Sequence, residues 1–162
     1  DPAVFHTKYP SVTNYLNAGW STLTSLSNRL DTIRLSDATG DTISQVDYAK
    51  EGDWSTRQSE TVGSNTGWKW VAGADTTGQS YQVRNPKLNV ANGQNWTSAA
   101  PSPGEVNAAN SSNIAPLIFN VKHHPEVPKA DDPVTVSCTV EDEATSGITV
   151  KCFYRALLAT NP

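Results

Sequence analysis

The chain has no methionine, only two cysteines in 162 residues, and only 17% charged residues. Lysine, glutamate and leucine are scarce, which removes the residues that make helices cheaply and argues against a helical bundle. No run of Lys or Arg occurs and the formal net charge is −4. A nucleic-acid or anionic-membrane surface, which depends on clustered cations, is excluded on that ground. No apolar stretch approaches the ~20 residues of a membrane helix, so membrane insertion is not expected. HExxH, CxxC and GxSxG are all absent, and with them the common zinc-peptidase, redox and serine-hydrolase patterns. His6, His123 and His124 are the only histidines. The adjacent pair would point to opposite faces of a strand, a poor start for a metal site. No catalytic residues, and hence no enzyme, are expected.

What is present is Thr, Ser, Asn and Val in quantity, with ten Gly and ten Pro. Those residues favour strands and turns. The most informative stretch is Gly78–Trp96, GQSYQVRNPKLNVANGQNW. Tyr81 and Val83 alternate with Gln82 and Arg84, the period of a half-buried strand. Asn85-Pro86 then stops the ladder, since proline donates no N–H and restricts the residue before it.

Upstream, Pro2 at a helix-start position predicts one short turn over roughly 2–8, ended by Tyr9-Pro10. A strand is expected over roughly 30–36, then a tight turn at Asp37–Asp41 with Gly40 at positive φ. The returning strand carries Ile43, Val46 and Tyr48, and the odd spacing after Ile43 predicts a bulge. Glu51 opens what reads as a long irregular loop reaching Trp68. Trp68 and Trp70 flank Lys69 and share one face of a short strand. Trp54, Trp68, Trp70 and Trp96 are candidate binding residues, as an exposed platform for sugar or protein; equally they fit as buried plugs at the ends of a sandwich. Residues 97–115 have linker composition.

The segments LSNRLDTIRL (26–35), DATGDTISQVDY (37–48), EGDW (51–54), GWKW (67–70) and Gly78–Trp96, with PSPGEVNAAN (101–110) as an exit, resemble a bacterial-type lamin tail domain. That resemblance covers residues 1–110 and implies an immunoglobulin-like β-sandwich. It departs at Leu30, where the family usually has a small residue before the acidic position held by Asp31. It also begins partway, without the acidic-aromatic opening strands of such domains. The edge left open would be completed by a further part of a longer protein or by strands of a neighbouring chain.

Beyond a linker at 111–116, residues 117–162 resemble the opening of an immunoglobulin or fibronectin III-like module, again partial. One strand is expected from Ile118 to Lys122 and a second carries Val134, Val136, Cys138 and Val140. Ile148, Val150, Cys152 and Tyr154 form a third. A turn centred on Thr145 would set Cys138 opposite Cys152. Their disulfide would close a loop of about 15 residues, contribute ~3 kcal/mol in the chain-entropy model, and imply an oxidising, extracellular or cell-surface setting. The alternative is two buried free thiols.

Asp37 with Asp41, or Glu141-Asp142-Glu143, could hold Ca²⁺ through carboxylates, although the DxDxDG pattern is missing; solvated turns are the simpler reading. Asn95-Trp96-Thr97 and Asn110-Ser111-Ser112 match the N-glycosylation acceptor pattern, which a bacterial-type resemblance makes idle. The expected fold is therefore all-β, and the expected role is a non-catalytic structural or adhesive segment of a larger surface or filament-forming protein. The alternative is a carbohydrate- or protein-binding accessory module of a secreted enzyme.

Overall fold

The computed structural model describes residues 1–15, 17 and 26–154. It is all-β apart from one short helix, with its strands in small antiparallel sheets. That helix, α1 (Pro2–Lys8), begins where Asp1 accepts the Ala3 and Val4 N–H groups on its carboxylate. Pro2 occupies the first turn, where a missing N–H costs nothing. No helix among the described residues is long and apolar enough to cross a membrane.

β1 (Leu30–Ser36) and β2 (Thr42–Ala49) form the expected hairpin. Pairing runs from Leu30↔Ala49 to Leu35↔Ser44 and then slips to Ser36↔Thr42, which leaves Ile43 as the extra, bulged residue. Asp37 closes the turn: its Oδ1 accepts the N–H groups of Thr39 and Asp41, both at 2.9 Å, while Gly40 sits at φ +93°.

The irregular loop expected over 51–68 is instead a 3₁₀ turn at Gly52–Trp54 followed by a second hairpin. β3 (Thr56–Val62) pairs in unbroken register with β4 (Asn65–Val71). The two strands are joined by Gly63-Ser64, with Gly63 at φ +63°. Glycine at the first central position is the signature of a primed two-residue hairpin turn. The hairpin escapes an apolar-periodicity reading because both of its faces are in solvent.

β5 (Ser80–Val83) pairs with β6 (Trp96–Ala99), and β7 (Leu117–His124) pairs with β8 (Thr135–Glu141). In β7, Asn120 takes φ +53° and, with Val121, stands opposite Cys138 alone, a second bulge. The third strand expected around Ile148–Tyr154 does not form: residues 142–154 contain no strand. Cys152 therefore has no ladder position opposite Cys138, and both thiols are free and exposed. Neither the expected disulfide nor the buried-thiol alternative holds. Alternation of side chains specified a face, but among the described residues no strand pairs with this segment.

The buried apolar core is small. Leu88, Ile114 and Leu117 form one cluster with Phe119 packed against it, and Val12 is buried beneath Gly104.

Candidate functional site

The chain from Arg84 to Trp96 folds back on itself through asparagine side chains. Asn85 and Asn95, 2% and 0% exposed, are exchanged like a pair of strand residues. The Asn85 N–H donates to Asn95 Oδ1 at 2.9 Å, and Asn95 Nδ2 donates to the Asn85 carbonyl at 2.8 Å. Asn85 Oδ1 accepts the Lys87 N–H, Asn89 Oδ1 that of Ala91, and Asn92 Oδ1 that of Gln94. Each is an Asx turn, in which a short side-chain oxygen substitutes for a backbone carbonyl. The corner thereby satisfies buried backbone groups that have no sheet partner. Asn95 is closed to glycosylation by the same bonds; Asn110 is exposed.

Neighbouring segments fasten to this corner. Gln94 clamps β7 from both sides, its Oε1 accepting the Ile118 N–H at 2.9 Å and its Nε2 donating to the Ile118 carbonyl at 2.6 Å. Residues 97–115, despite linker composition, lie along β5: Gln82 Oε1 accepts the Ala109 N–H, Asn107 Nδ2 donates to the Val83 carbonyl, and the Ser111 N–H donates to the Arg84 carbonyl. Gln82, placed on the polar face by alternation, is buried for this reason.

The acidic residues at the end of β8 belong to the same network. Glu143 Oε1 accepts from Asn85 Nδ2 at 2.5 Å and from the Ile114 N–H at 3.0 Å, and Glu141 Oε1 accepts the Asn89 N–H at 2.7 Å. Asp142 accepts the Ala144 N–H. A hydrogen bond from its own backbone N–H, with those from Asn85 and Ile114, lowers the Glu143 carboxyl below its ordinary 4.5 against partial desolvation. Asp37 is lowered likewise by Thr39 and Asp41 in its turn. Each carboxylate considered for Ca²⁺ thus accepts at least one protein N–H or O–H group, while Glu143 Oε2 is buried with no partner among the described residues. Among the described residues no three His, Cys, Asp or Glu side chains converge as a metal site.

The four candidate tryptophans, out of five in the sequence, divide into two pairs. Trp54 and Trp96 are half-buried, their ring centroids 5.5 Å apart, and Tyr81 meets Trp54 edge-on at 5.6 Å. Tyr81 Oη donates to the Trp54 carbonyl and Trp96 Nε1 to that of Val90, both at 2.8 Å. Burial raises the Tyr81 phenol above its ordinary 10. Gly93 lies flat against the Trp54 indole; a Cβ there would come within 2.9 Å of it. These rings form one wall of an open cleft of about 630 Å³, whose facing wall is Ile33, Val46 and Tyr48 of the first hairpin.

Trp68 and Trp70 are 65% and 42% exposed, away from that cleft on β4. Arg57, directly opposite Trp70 in the register, places its guanidinium 5.7 Å from the Trp70 ring centre and 5.9 Å from that of Trp68. Lys69 points to the other face and pairs with Glu60. The histidines stay apart from both pairs: His6 stacks on Tyr15, and His123 Nδ1 lies 3.0 Å from the Pro125 carbonyl. Comparisons with family models, with curated proteins and with solved structures find no match to the chain.

Proposed function

We propose that the chain is a non-catalytic structural or adhesive segment, an immunoglobulin-like β-sandwich of the lamin-tail kind in a larger extracellular or surface protein of bacterial type. The sandwich is completed by strands supplied from elsewhere in the polypeptide or from a neighbouring chain. One observation carries this reading: the face of the first hairpin that holds Ile33, Leu35, Val46 and Tyr48, with Asp31 and Ser44 beside them, is mainly apolar and only partly covered. Ile33 and Leu35 are 48% and 60% exposed, and no sheet among the described residues has more than two strands. Sheets stack by burying such a face at a spacing of ~10 Å. A two-stranded ribbon alone is marginal in water. The unpaired edges of β1 and β2 offer backbone groups to an added strand.

The test combines mass and surface. Light scattering on the purified chain at rising concentration should give species above the 17.4 kDa monomer, and a hydrophobic dye should bind the open face. Ile33→Lys with Leu35→Lys should reduce both signals. A chain that stays monomeric and leaves the dye dark defeats the reading.

A second reading, a carbohydrate- or protein-binding accessory module, has its own support in the exposure of Trp68 and Trp70. Large apolar rings held in water on a regular strand are the unusual feature of that hairpin.

A further inference from the structure

We infer that the Trp68/Trp70 face of the second hairpin is a subsite for an acidic sugar, with Arg57 taking the carboxylate. This rests on the second reading above and specifies its ligand. Cross-strand partners share a face, so Arg57, Ser59 and Thr61 of β3 stand with Trp70, Trp68 and Thr66 of β4. That face holds two indoles, three hydroxyls and one charge, a cation. Among the described residues the Arg57 guanidinium has no ion pair and no side-chain hydrogen bond; the hairpin's ion pair, Lys69–Glu60, lies on the opposite face. Its planar fork of donors, held over both rings, suits bidentate capture of a carboxylate.

The shape of the face selects among anions. Its apolar surface is flat ring, and the hairpin's two valines, Val62 and Val71, belong to the other side. A peptide added here would find no pockets for alternate side chains, which is where peptide recognition gets its specificity. A pyranose presents a flat C–H face that buries well against indole, and its hydroxyls match Ser59 and the Thr61–Thr66 pair, whose oxygens are 3.1 Å apart. A uronic acid adds the one group that Arg57 lacks.

Titration calorimetry of the full chain with oligogalacturonate, and with a neutral gluco-oligosaccharide of equal length, tests this. The acidic oligomer should bind at least tenfold more tightly, and the difference should shrink with salt. Arg57→Gln should abolish that preference and Arg57→Lys should restore only part of it; circular dichroism and melting should stay unchanged in both. Trp68→Ala should weaken both sugars together. Equal affinity for the two oligomers, untouched by Arg57→Gln, overturns the acidic-sugar inference while leaving a sugar platform standing. Binding of neither oligomer overturns both, as does binding confined to an acidic peptide.

Discussion

The corner at 85–96 and the hairpin of β3 and β4 are held by opposite means, although each has two of its tryptophans at or beside it. The hairpin is regular backbone with almost nothing buried: seven cross-strand pairs, a primed turn and side chains in water on both faces. The corner has almost no ladder, yet contains the least exposed polar residues described, Asn85 and Asn95. Where strands pair, the backbone satisfies itself and side chains stay free for other work. Where they do not, asparagine side chains must do the pairing and cannot be spared. Structural and recognition duties are thereby separated along one chain.

The sharpest way to break that comparison is to remove one amide from the corner and one indole from the hairpin. Asn95→Ala strands the Asn85 N–H in a closed site, at ~1–3 kcal/mol for an unsatisfied group. It also removes one of two donors to the Asn85 carbonyl, which keeps the Leu88 N–H at 3.2 Å. A loss of about 2–3 kcal/mol is expected in denaturant unfolding, a large share of an ordinary domain's stability. Trp68→Ala, at an exposed position, should stay within about 0.5–1 kcal/mol of the parent. Equal losses at the two positions would mean that the hairpin is buried by a partner in the purified protein, or that the corner relaxes freely.

A smaller effect probes the contact between the corner and the Trp54 indole. Gly93→Ala drives a methyl into the Trp54 indole. Overpacking of that kind costs about 1–3 kcal/mol. The near-ultraviolet circular dichroism of the Trp54–Trp96 pair should change with it, while the Trp68/Trp70 face is untouched. A stability loss with no change in aromatic signal would place the strain elsewhere.

Much of this division was legible in the residues, and the failures have physical causes. The α1 span, the first hairpin with its bulge at Ile43, and the importance of Gly78–Trp96 followed from Pro2, from Asp37–Gly40, and from the strand-stopping Asn85-Pro86. Of the second hairpin, the short strand with Trp68 and Trp70 on one face was expected and is found in β4. Its partner β3 was missed because apolar alternation marks only strands with one face buried, and Arg57, Ser59 and Thr61 alternate with Gln58 and Glu60 instead. Its usable signal was Gly63-Ser64, a two-residue primed turn between Thr- and Val-containing runs. The third strand and the disulfide failed for the converse reason. Ile148, Val150 and Cys152 alternate correctly, but period two is a local property and strand pairing is not. Glu141 and Glu143 looked like solvated acid or a cation site, because nothing in sequence joins them to Asn89, Asn85 and Ile114, far earlier in the chain.

That last contact gives the mildest prediction, a pH-dependent grip between β8 and the corner. Glu143 titrates below its ordinary 4.5 because the folded state donates hydrogen bonds to its carboxylate, first from its own N–H and then from Asn85 and Ile114. A depressed carboxyl stabilises the fold fully above its unfolded value, and that contribution disappears as pH falls through the folded one. The protection of the Ile114 amide, whose N–H donates to Glu143, measured as exchange relative to the intrinsic rate at each pH, should therefore fall on acidification below about pH 4.5. Global unfolding need not follow, since the Asn85–Asn95 exchange contains no titrating group. Glu143→Gln keeps an acceptor oxygen but removes the charge, so it should exchange faster at neutral pH and lose the acid dependence. If the variant instead keeps the parent's acid response, another carboxylate governs this contact, and Glu141, bonded to Asn89 on the same corner, is the one to replace next.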